Sequence, residues 1–508
     1  MSDERGRLAS RTLAGLSGAA SPSDLLGDGA TVISDIACAI DDVRPGALFA
    51  PLDLAPPRAA RLAAQAVARG AAALLLEQHL ELPVPQLIVP EVRIALPVVS
   101  AAFYGFPATH LRSIGVTGTK GKTTTTFLID AILRNAGEHP GLIGTLEWRA
   151  GEDRIRHQLQ RTTPESPTVQ RLLRAMVEAG DQWAVIEASS QGLAQRRLDT
   201  VPFTIGAVTS ITQDHLDFHG SIAAYRRAKA MLFERVAECG GTAVINADDP
   251  AARSMRPYAG SARILTYSAE GRLADVRATD LAPGLAGTRF TLSLPGQQAP
   301  VHLPLLGSFN VSNALCAAAV AHAIGIDLDL TASSLATVSP VPGRLEPIRA
   351  GQPFLVLVDE AQTPAQLAAS LDVAQQVTPV GRVILVTGAS DLISPDQLRQ
   401  KGEVAMLAAD FTAFTIQHAR RTDPATLVAH LVTGARAAGG IAGVRFACVA
   451  DRQEAIAHAL GLAQPGDCVL LTGKADDATL TIGETTRPWN EAALVRELLA
   501  GMGYTVSP

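Results

Sequence analysis

Lysine is scarce in this chain: only Lys120, Lys122, Lys229, Lys401 and Lys474 stand among 43 basic residues. Where a protein otherwise uses arginine, a retained lysine marks a place at which a guanidinium would fail. Cysteine is scarce too. Cys38, Cys239, Cys316, Cys448 and Cys468 are scattered and form no C-x-x-C pair, which argues against a zinc site and predicts reduced thiols in a cytoplasmic protein. No unbroken apolar run reaches the roughly 18 residues of a membrane helix. The opening Met1-Ser2-Asp3-Glu4-Arg5 carries acids where a signal peptide carries bases. A basic excess is also missing: 43 Lys+Arg against 49 Asp+Glu leave a net charge of −6, which argues against a nucleic-acid surface. No tandem repeat is present.

What the chain has is apolar mass. It is 47% hydrophobic and 18% charged, and its 508 residues, at roughly 100–200 per domain, allow about three domains. Strand- and helix-length segments alternate along most of it, which predicts α/β architecture with mainly parallel sheets covered by helices. The expected division is a small α/β domain over 1–110, a central domain over 111–340 and a Rossmann-like domain over 341–508. In the first, the strands Ala47–Ala50 and Ala72–Leu76 flank a helix over Arg58–Arg69. In the second, strands are expected at Ser113–Val116, Trp183–Glu187, Ile205–Ile211 and Ala243–Asn246. Its helices are expected at Lys122–Ala136, Pro167–Ala179, Ile222–Val236 and Asn310–Ile324. The third has strands at Leu355–Val358, Val383–Val386, Phe411–Thr415, Phe446–Val449 and Cys468–Leu471. No G-x-G-x-x-G follows its first strand, so no dinucleotide site is read there.

The strongest local signal is Gly115-Val116-Thr117-Gly118-Thr119-Lys120-Gly121-Lys122-Thr123-Thr124. It follows an expected strand and opens an expected helix, the setting of a phosphate loop. Gly118 and Gly121 let backbone amides turn toward anionic oxygens, and the helix start adds partial positive charge. Thr119, Lys120 and Thr124 belong to the same loop. Lys122 reaches toward the β- and γ-phosphates, and the Thr123 hydroxyl suits Mg²⁺. Val116 replaces the first glycine of the longer P-loop spacing, so this is a shorter variant. Downstream, Glu187 ends an apolar strand and His215 follows another, both placed to serve metal or phosphate chemistry.

These segments resemble the Mur ligases, most closely the UDP-N-acetylmuramoyl-tripeptide synthetases of the MurE type. The likeness is dense from about Tyr104 to Asn313. It includes the phosphate loop, Gly141-Leu142-Ile143-Gly144-Thr145, Thr162-Thr163-Pro164-Glu165, Glu187-Ala188-Ser189-Ser190 and Gln195-Arg196-Arg197. It continues through Asp214-His215-Leu216-Asp217-Phe218-His219-Gly220, Tyr225-Arg226-Arg227-Ala228-Lys229, Asn246-Ala247-Asp248-Asp249 and Phe309-Asn310-Val311-Ser312-Asn313.

The resemblance implies an ATP- and Mg²⁺-dependent ligase in three domains. A γ-phosphoryl group passes to a substrate carboxylate, and an amino acid's amine then displaces phosphate from the acyl phosphate to form an amide. Thr123 and Glu187 are implied to hold one Mg²⁺; Glu187, His215 and a carbamylated Lys229 serve a second. Thr162, Thr163, Ser189, Gln195 and Arg197 match positions that bind a nucleotide-sugar peptide. Asn310 and Asn313 match positions near adenine, and Arg344 and Asp359 match nucleotide contacts. Arg420 survives from an amino-acid-binding motif.

The outer domains depart from the family pattern. Ala39-Ile40-Asp41 replaces an Asp-Ser-Arg segment, and Leu54-Ala55-Pro56-Pro57 replaces an Asp-Gly-His segment. Asp359-Glu360-Ala361-Gln362-Thr363-Pro364 lacks the usual Tyr and His. Gln417-His418-Ala419-Arg420 replaces Asp-Asn-Pro-Arg, and Gly473-Lys474-Ala475-Asp476-Asp477 replaces Gly-Lys-Gly-His-Glu. Two readings stand: a ligase of peptidoglycan precursors with small-molecule substrates, or a catalytically altered relative that binds ATP and a partner or acts outside cell-wall synthesis. Folylpolyglutamate synthetase is disfavoured by Thr-Thr-Pro-Glu and Asp-His-Leu-Asp-Phe-His-Gly. A monomer without nucleic-acid or membrane partners is expected.

Overall fold

The computed structural model describes residues 11–20, 24–52, 55–155, 161–475 and 477–505. The acidic opening Met1–Arg5, Leu54 and Asp476 therefore lie outside the described residues. Two compact units emerge. One comprises residues 1–280 with 290–301 and 311–336, and the other 281–289, 302–310 and 337–508.

Within the first unit, the N-terminal residues build a five-stranded sheet in the order Asp24–Leu26, Gln86–Ile88, Ala73–Leu76, Ala47–Phe49, Asp35–Ala37. Only its first strand runs antiparallel to its neighbour. The helix Pro56–Ala68 opens on prolines at its first turn, where the missing N–H costs nothing. The helix Val92–Tyr104 stops at Gly105, whose φ of 76° is left-handed.

The large sheet has eleven strands, and its parallel centre runs Pro140–Ile143, Trp183–Glu187, Arg112–Thr117, Phe203–Val208, Thr242–Asn246, Arg263–Ser268. Trp183–Glu187 and all but the first residue of Arg112–Thr117 are buried, as expected of strands covered on both faces. Observed helices at Lys122–Asn135, Ser166–Ala179, Ile222–Glu238 and Ser308–Ile324 match the periodicity to within two residues. The expected strand Ile205–Ile211 instead ends at Val208, freeing Thr209 to turn toward the phosphate loop. The sequence reading did not include the antiparallel pair Trp148–Ala150 and Asp153–Ile155, nor the strands Val276–Gly284, Gly287–Leu294 and Gln297–Leu303.

Two glycines set how closely the helix Ile222–Glu238 lies on this sheet. Gly115 and Gly206 are register partners on neighbouring strands. A Cβ on Gly115 would sit 2.6 Å from a Leu232 methyl, and one on Gly206 would sit 2.7 Å from a Val236 methyl. Real carbons do not approach so closely, so the helix packs where it does because both side chains are absent. Lys229 is carried on that helix, one turn before Leu232.

The second unit is built on a six-stranded sheet: Glu346–Pro347, Leu355–Asp359, Cys468–Thr472, Val383–Ser390, Phe411–His418, Phe446–Cys448. All neighbours are parallel except the first pair. Every residue of Val383–Ser390 is buried. Arg452 and Glu491, both wholly buried, form an ion pair inside it, with a second bond from Arg452 Nε to Glu491 Oε2 at 2.9 Å.

Candidate active site

The phosphate loop lies between the strand Arg112–Thr117 and the helix Lys122–Asn135. Gly118 has φ 150° and Gly121 φ 85°. At either, a Cβ would collide with a neighbour, Thr209 Oγ1 for Gly118 and Asn313 Oδ1 for Gly121. The loop is held from outside by Thr209 and Ser210: Thr209 Oγ1 donates to Lys120 O, and Thr119 N donates to Ser210 O at 2.5 Å. Thr119 Oγ1 also lies 2.7 Å from Tyr225 Oη.

Lys122 Nζ donates to Gly118 O at 3.0 Å and Thr119 O at 3.2 Å. Lys229 is 1% exposed; its Nζ donates to the same Gly118 O at 2.8 Å and lies 4.5 Å from the Tyr225 ring centre. Burial, reinforced by the neighbouring Lys122 charge, holds its ammonium well below the usual lysine range. Lys120 pairs with Asp214 at 3.5 Å.

Glu187 ends its strand fully buried. Its carboxylate accepts from Thr123 Oγ1 at 3.0 Å, from Thr145 N at 2.8 Å and from Thr145 Oγ1 at 3.0 Å. The Thr123 hydroxyl and Glu187 carboxylate are hard oxygen donors that face each other beside the loop, a pair that suits Mg²⁺. His215 is half-exposed, with φ 49°; its Nε2 lies 3.9 Å from Asp214 Oδ2, and burial lowers its pKa. Among the described residues no three His, Cys, Asp or Glu side chains gather as a ready metal cluster. Lys229, which the resemblance implies at a second metal, is outside those residue types.

The residues expected on the peptide side form a second network. Thr163 Oγ1 lies 2.6 Å from Glu187 O and 2.9 Å from Ser189 Oγ, and Thr162 Oγ1 lies 3.1 Å from Thr145 Oγ1. Arg197 donates to Thr163 O at 2.7 Å and to Gln195 Oε1, and pairs with Glu165 at 2.9 Å. Glu165 also receives Arg93 at 2.7 Å and Arg161 at 2.8 Å. Arg196, next to Arg197, has φ 58°; left-handed non-glycine residues of this kind gather at functional sites.

One cavity of about 130 Å³ is lined by Gly118, Thr119, Lys122, Thr162, Ser189, Arg197, His215 and Lys229 together with Arg161, Ser190, Gln191 and Tyr225. Lys122, His215 and Lys229 thus meet Thr162, Ser189 and Arg197 in one place. Glu187 and Thr123 are buried and do not line the cavity. The sequence reading missed Tyr225 and Glu165 as individual site residues, although both lie within motifs it quoted. Thr145 was within Gly-Leu-Ile-Gly-Thr, where no charge pattern singles out a hydroxyl.

Asn313 Oδ1 accepts from Thr125 Oγ1 at 3.5 Å. In the second unit Asn310 is buried and donates to Leu306 O at 2.7 Å. Arg344 pairs with Glu360. Asp359 accepts from Leu345 N at 2.9 Å, Ala361 N at 3.0 Å and Ser370 Oγ at 2.7 Å. Arg420 is exposed at the surface of that unit, its backbone N–H bonded to Asp391 at 2.7 Å. At the same strand ends His418, Lys474 and Asp477 form a buried cluster, with Lys474 Nζ 3.0 Å and His418 Nε2 2.9 Å from Asp477 Oδ2.

Comparison with known proteins identifies the family. Residues 116–321 match the Mur ligase middle domain, and residues 343–475 match the Mur ligase, glutamate ligase domain. A UDP-N-acetylmuramyl-tripeptide synthetase of Roseiflexus sp. (strain RS-1) is 42% identical over 477 residues, covering 91% of this chain and 93% of that protein. A UDP-N-acetylmuramoyl-L-alanyl-D-glutamate–2,6-diaminopimelate ligase of Geobacillus kaustophilus (strain HTA426) is 37% identical over 446 residues, covering 87% and 89%. A solved structure of a ligase described by that same name superposes with a TM-score of 0.67 at 27% identity, covering 98% of this chain and 100% of that one. With a phosphate loop flanked by two lysines and a buried carboxylate, and relatives of this likeness along nine-tenths of its length, the chain belongs to the Mur ligase family of ATP-dependent acid–amino-acid ligases.

Proposed function

We propose that the protein joins an amino acid to the free carboxyl group of UDP-N-acetylmuramoyl-dipeptide, in the cytoplasmic synthesis of peptidoglycan precursors. The observation that carries this reading is the single cavity shared by Lys122, Lys229 and His215 with Thr162, Ser189 and Arg197. It supports transfer of a phosphoryl group from ATP to a carboxylate held beside it. Lys122 neutralises charge on the phosphates, and Arg197 and Ser189 orient the peptide carboxylate, so positioning and electrostatics supply most of the rate. Mg²⁺ held by Thr123 and Glu187 would neutralise the negative charge on the phosphate oxygens. Lys229 and His215 complete the set in the reading by resemblance.

The roles of Asn310, Asn313, Arg344 and Asp359 in nucleotide binding, and of Arg420 in amino-acid binding, belong to the same proposal. So do the domain borders at 110/111 and 340/341 and a monomeric state. Among the described residues no helix is long and apolar enough to cross a membrane.

The replacement of Asp-Asn-Pro-Arg by Gln417-His418-Ala419-Arg420 favours a second reading, in which the fold binds ATP but acts on another carboxylate or none. Phosphate release from Mg²⁺-ATP, measured with UDP-N-acetylmuramoyl-dipeptide and a pool of amino acids, separates the two. A ligated product seen by mass spectrometry, and lost in Lys122→Ala, supports the ligase. Nucleotide binding without product supports the second reading.

A further inference from the structure

The first unit contains another cavity, of about 450 Å³, that shares no lining residue with the active-site cavity. Its floor lies near the C-terminal ends of two parallel strands. Ile245 and Thr266 are register partners there, and Ile264 precedes Thr266 by two residues, so all three side chains face one side of the sheet. Ala247 extends the apolar floor, and the exposed Leu273 stands beside it. Around this floor stand Arg253, at the end of the helix Pro250–Arg253, Arg256, in the 3-10 turn Arg256–Ala259, and Arg272, in the segment after Arg263–Ser268.

The neighbouring carboxylates are already engaged. Asp248 accepts from Ser268 Oγ at 2.6 Å, Ala269 N at 2.7 Å and Glu270 N at 3.3 Å, with Arg272 Nε 3.8 Å away. Asp275 accepts from Thr266 N at 2.8 Å and Thr266 Oγ1 at 2.7 Å. Among the described residues Arg253 and Arg256 have no ion-pair partner. Arg272 is answered by Asp248, so among the described residues Arg253 and Arg256 are the two guanidiniums beside this floor whose charge no ion pair answers.

We propose that this cavity is a binding site for a small phosphate ester with an apolar or planar body. Guanidinium groups match phosphate oxygens in both charge and fork geometry, and a doubly negative phosphate answers several of them better than a single carboxylate. The body lies on the partly exposed Ile264, beside Leu273. The volume is that of an ordinary small-molecule site, about 300–1,000 Å³, and the carboxyl ends of parallel strands are where open α/β sheets bind ligands. This site is additional to the ATP and substrate cavity and does not rest on the reading given above for it.

The test is calorimetric titration of the full chain with phenyl phosphate, and with benzoate as the carboxylate counterpart. Lys122→Ala, in which the phosphate loop has lost its lysine, is expected still to bind phenyl phosphate and to bind benzoate more weakly. The double variant Arg253→Gln/Arg256→Gln is expected to bind phenyl phosphate about tenfold more weakly or worse, with Arg272→Gln in between. All three arginines are exposed, so thermal unfolding should be unchanged. Equal binding by the double variant, loss of binding in Lys122→Ala, benzoate binding as tightly as phenyl phosphate, or no saturable binding at millimolar concentration would each overturn the proposal.

Discussion

Lys122 and Lys229, 107 residues apart in the chain, direct their Nζ atoms at one acceptor, the carbonyl oxygen of Gly118, at 3.0 and 2.8 Å. Two cations that share one carbonyl repel each other, and the one buried completely bears the cost. Lys229 is accordingly the lysine whose pKa is driven well down, first by burial and then by Lys122.

A neutral amine is the form that adds CO₂, losing a proton to become an anionic carbamate. Lys229→Arg keeps the length and positive charge but has no accessible neutral form. Ligase turnover is expected to fall at least about a hundredfold, the scale seen when a charge-stabilising group is removed, with ATP affinity changed much less. Steady-state kcat and nucleotide titration check both halves. Activity retained in Lys229→Arg would remove the carbamate from the account.

Gly118→Ala is expected to abolish nucleotide binding while leaving the rest of the first unit folded. The new methyl would meet Thr209 Oγ1 at a φ of 150°, displacing the Thr209 bond that ties down the loop. Fluorescent-nucleotide titration beside circular dichroism distinguishes this from global unfolding.

Glu165 is surrounded by Arg93, Arg161 and Arg197. Glu165→Gln removes the anion that these three pairs share and leaves the nearly buried Arg197, whose pKa burial already lowers, without its carboxylate. A loss of about 3–5 kcal/mol, as for other broken buried pairs, is expected in denaturant unfolding of the first unit. A loss below about 1 kcal/mol would place these pairs with weak surface bridges.

Lys401 predicts a pH dependence in the second unit. It is fully buried with Nζ on Gly388 O at 3.0 Å, and burial, with Arg452 nearby, lowers its pKa from 10.5 to about 7. Below pH 7 both folded and unfolded chains carry the proton and the burial cost stands in full. Between about 7 and 10.5 only the unfolded chain holds it, so stability rises with pH, by at most about 1.4 kcal/mol per unit. Lys401→Met is expected to remove this component of the rise. Hydrogen exchange in Val383–Ser390, corrected for intrinsic rates and compared between the two proteins at pH 7.5 and 9, reads it out.

Much of the fold was legible because its signals are local. Apolar runs such as Trp183–Glu187 bounded by turns read as buried strands, and Gly-Thr-Lys-Gly-Lys-Thr-Thr between a strand and a helix reads as a phosphate loop wherever it occurs. Strands outside the parallel centre were not legible: Trp148–Ala150 is buried but only three residues long, and Val276–Gly284 is exposed over its last six residues, so neither carries a long apolar run. Likewise, Tyr225 against Thr119 and Glu165 among three arginines join residues that are far apart along the chain or on different elements.

By itself the sequence determined the alternating α/β pattern, the phosphate loop, the likeness to Mur ligases and the identity of every side chain in the candidate site. Tertiary structure decided which of them meet. Gly115 and Gly206 read as unremarkable strand glycines until strand order makes them neighbours, and only then does the absence of two side chains let the helix settle and bring Lys229 to Gly118. The arginine cavity has the same origin, since Arg253, Arg256 and Arg272 form no motif along the chain and become one site only because two parallel strands end beneath them. Periodicity and turn chemistry act over a few residues, whereas strand order and close packing act over a hundred.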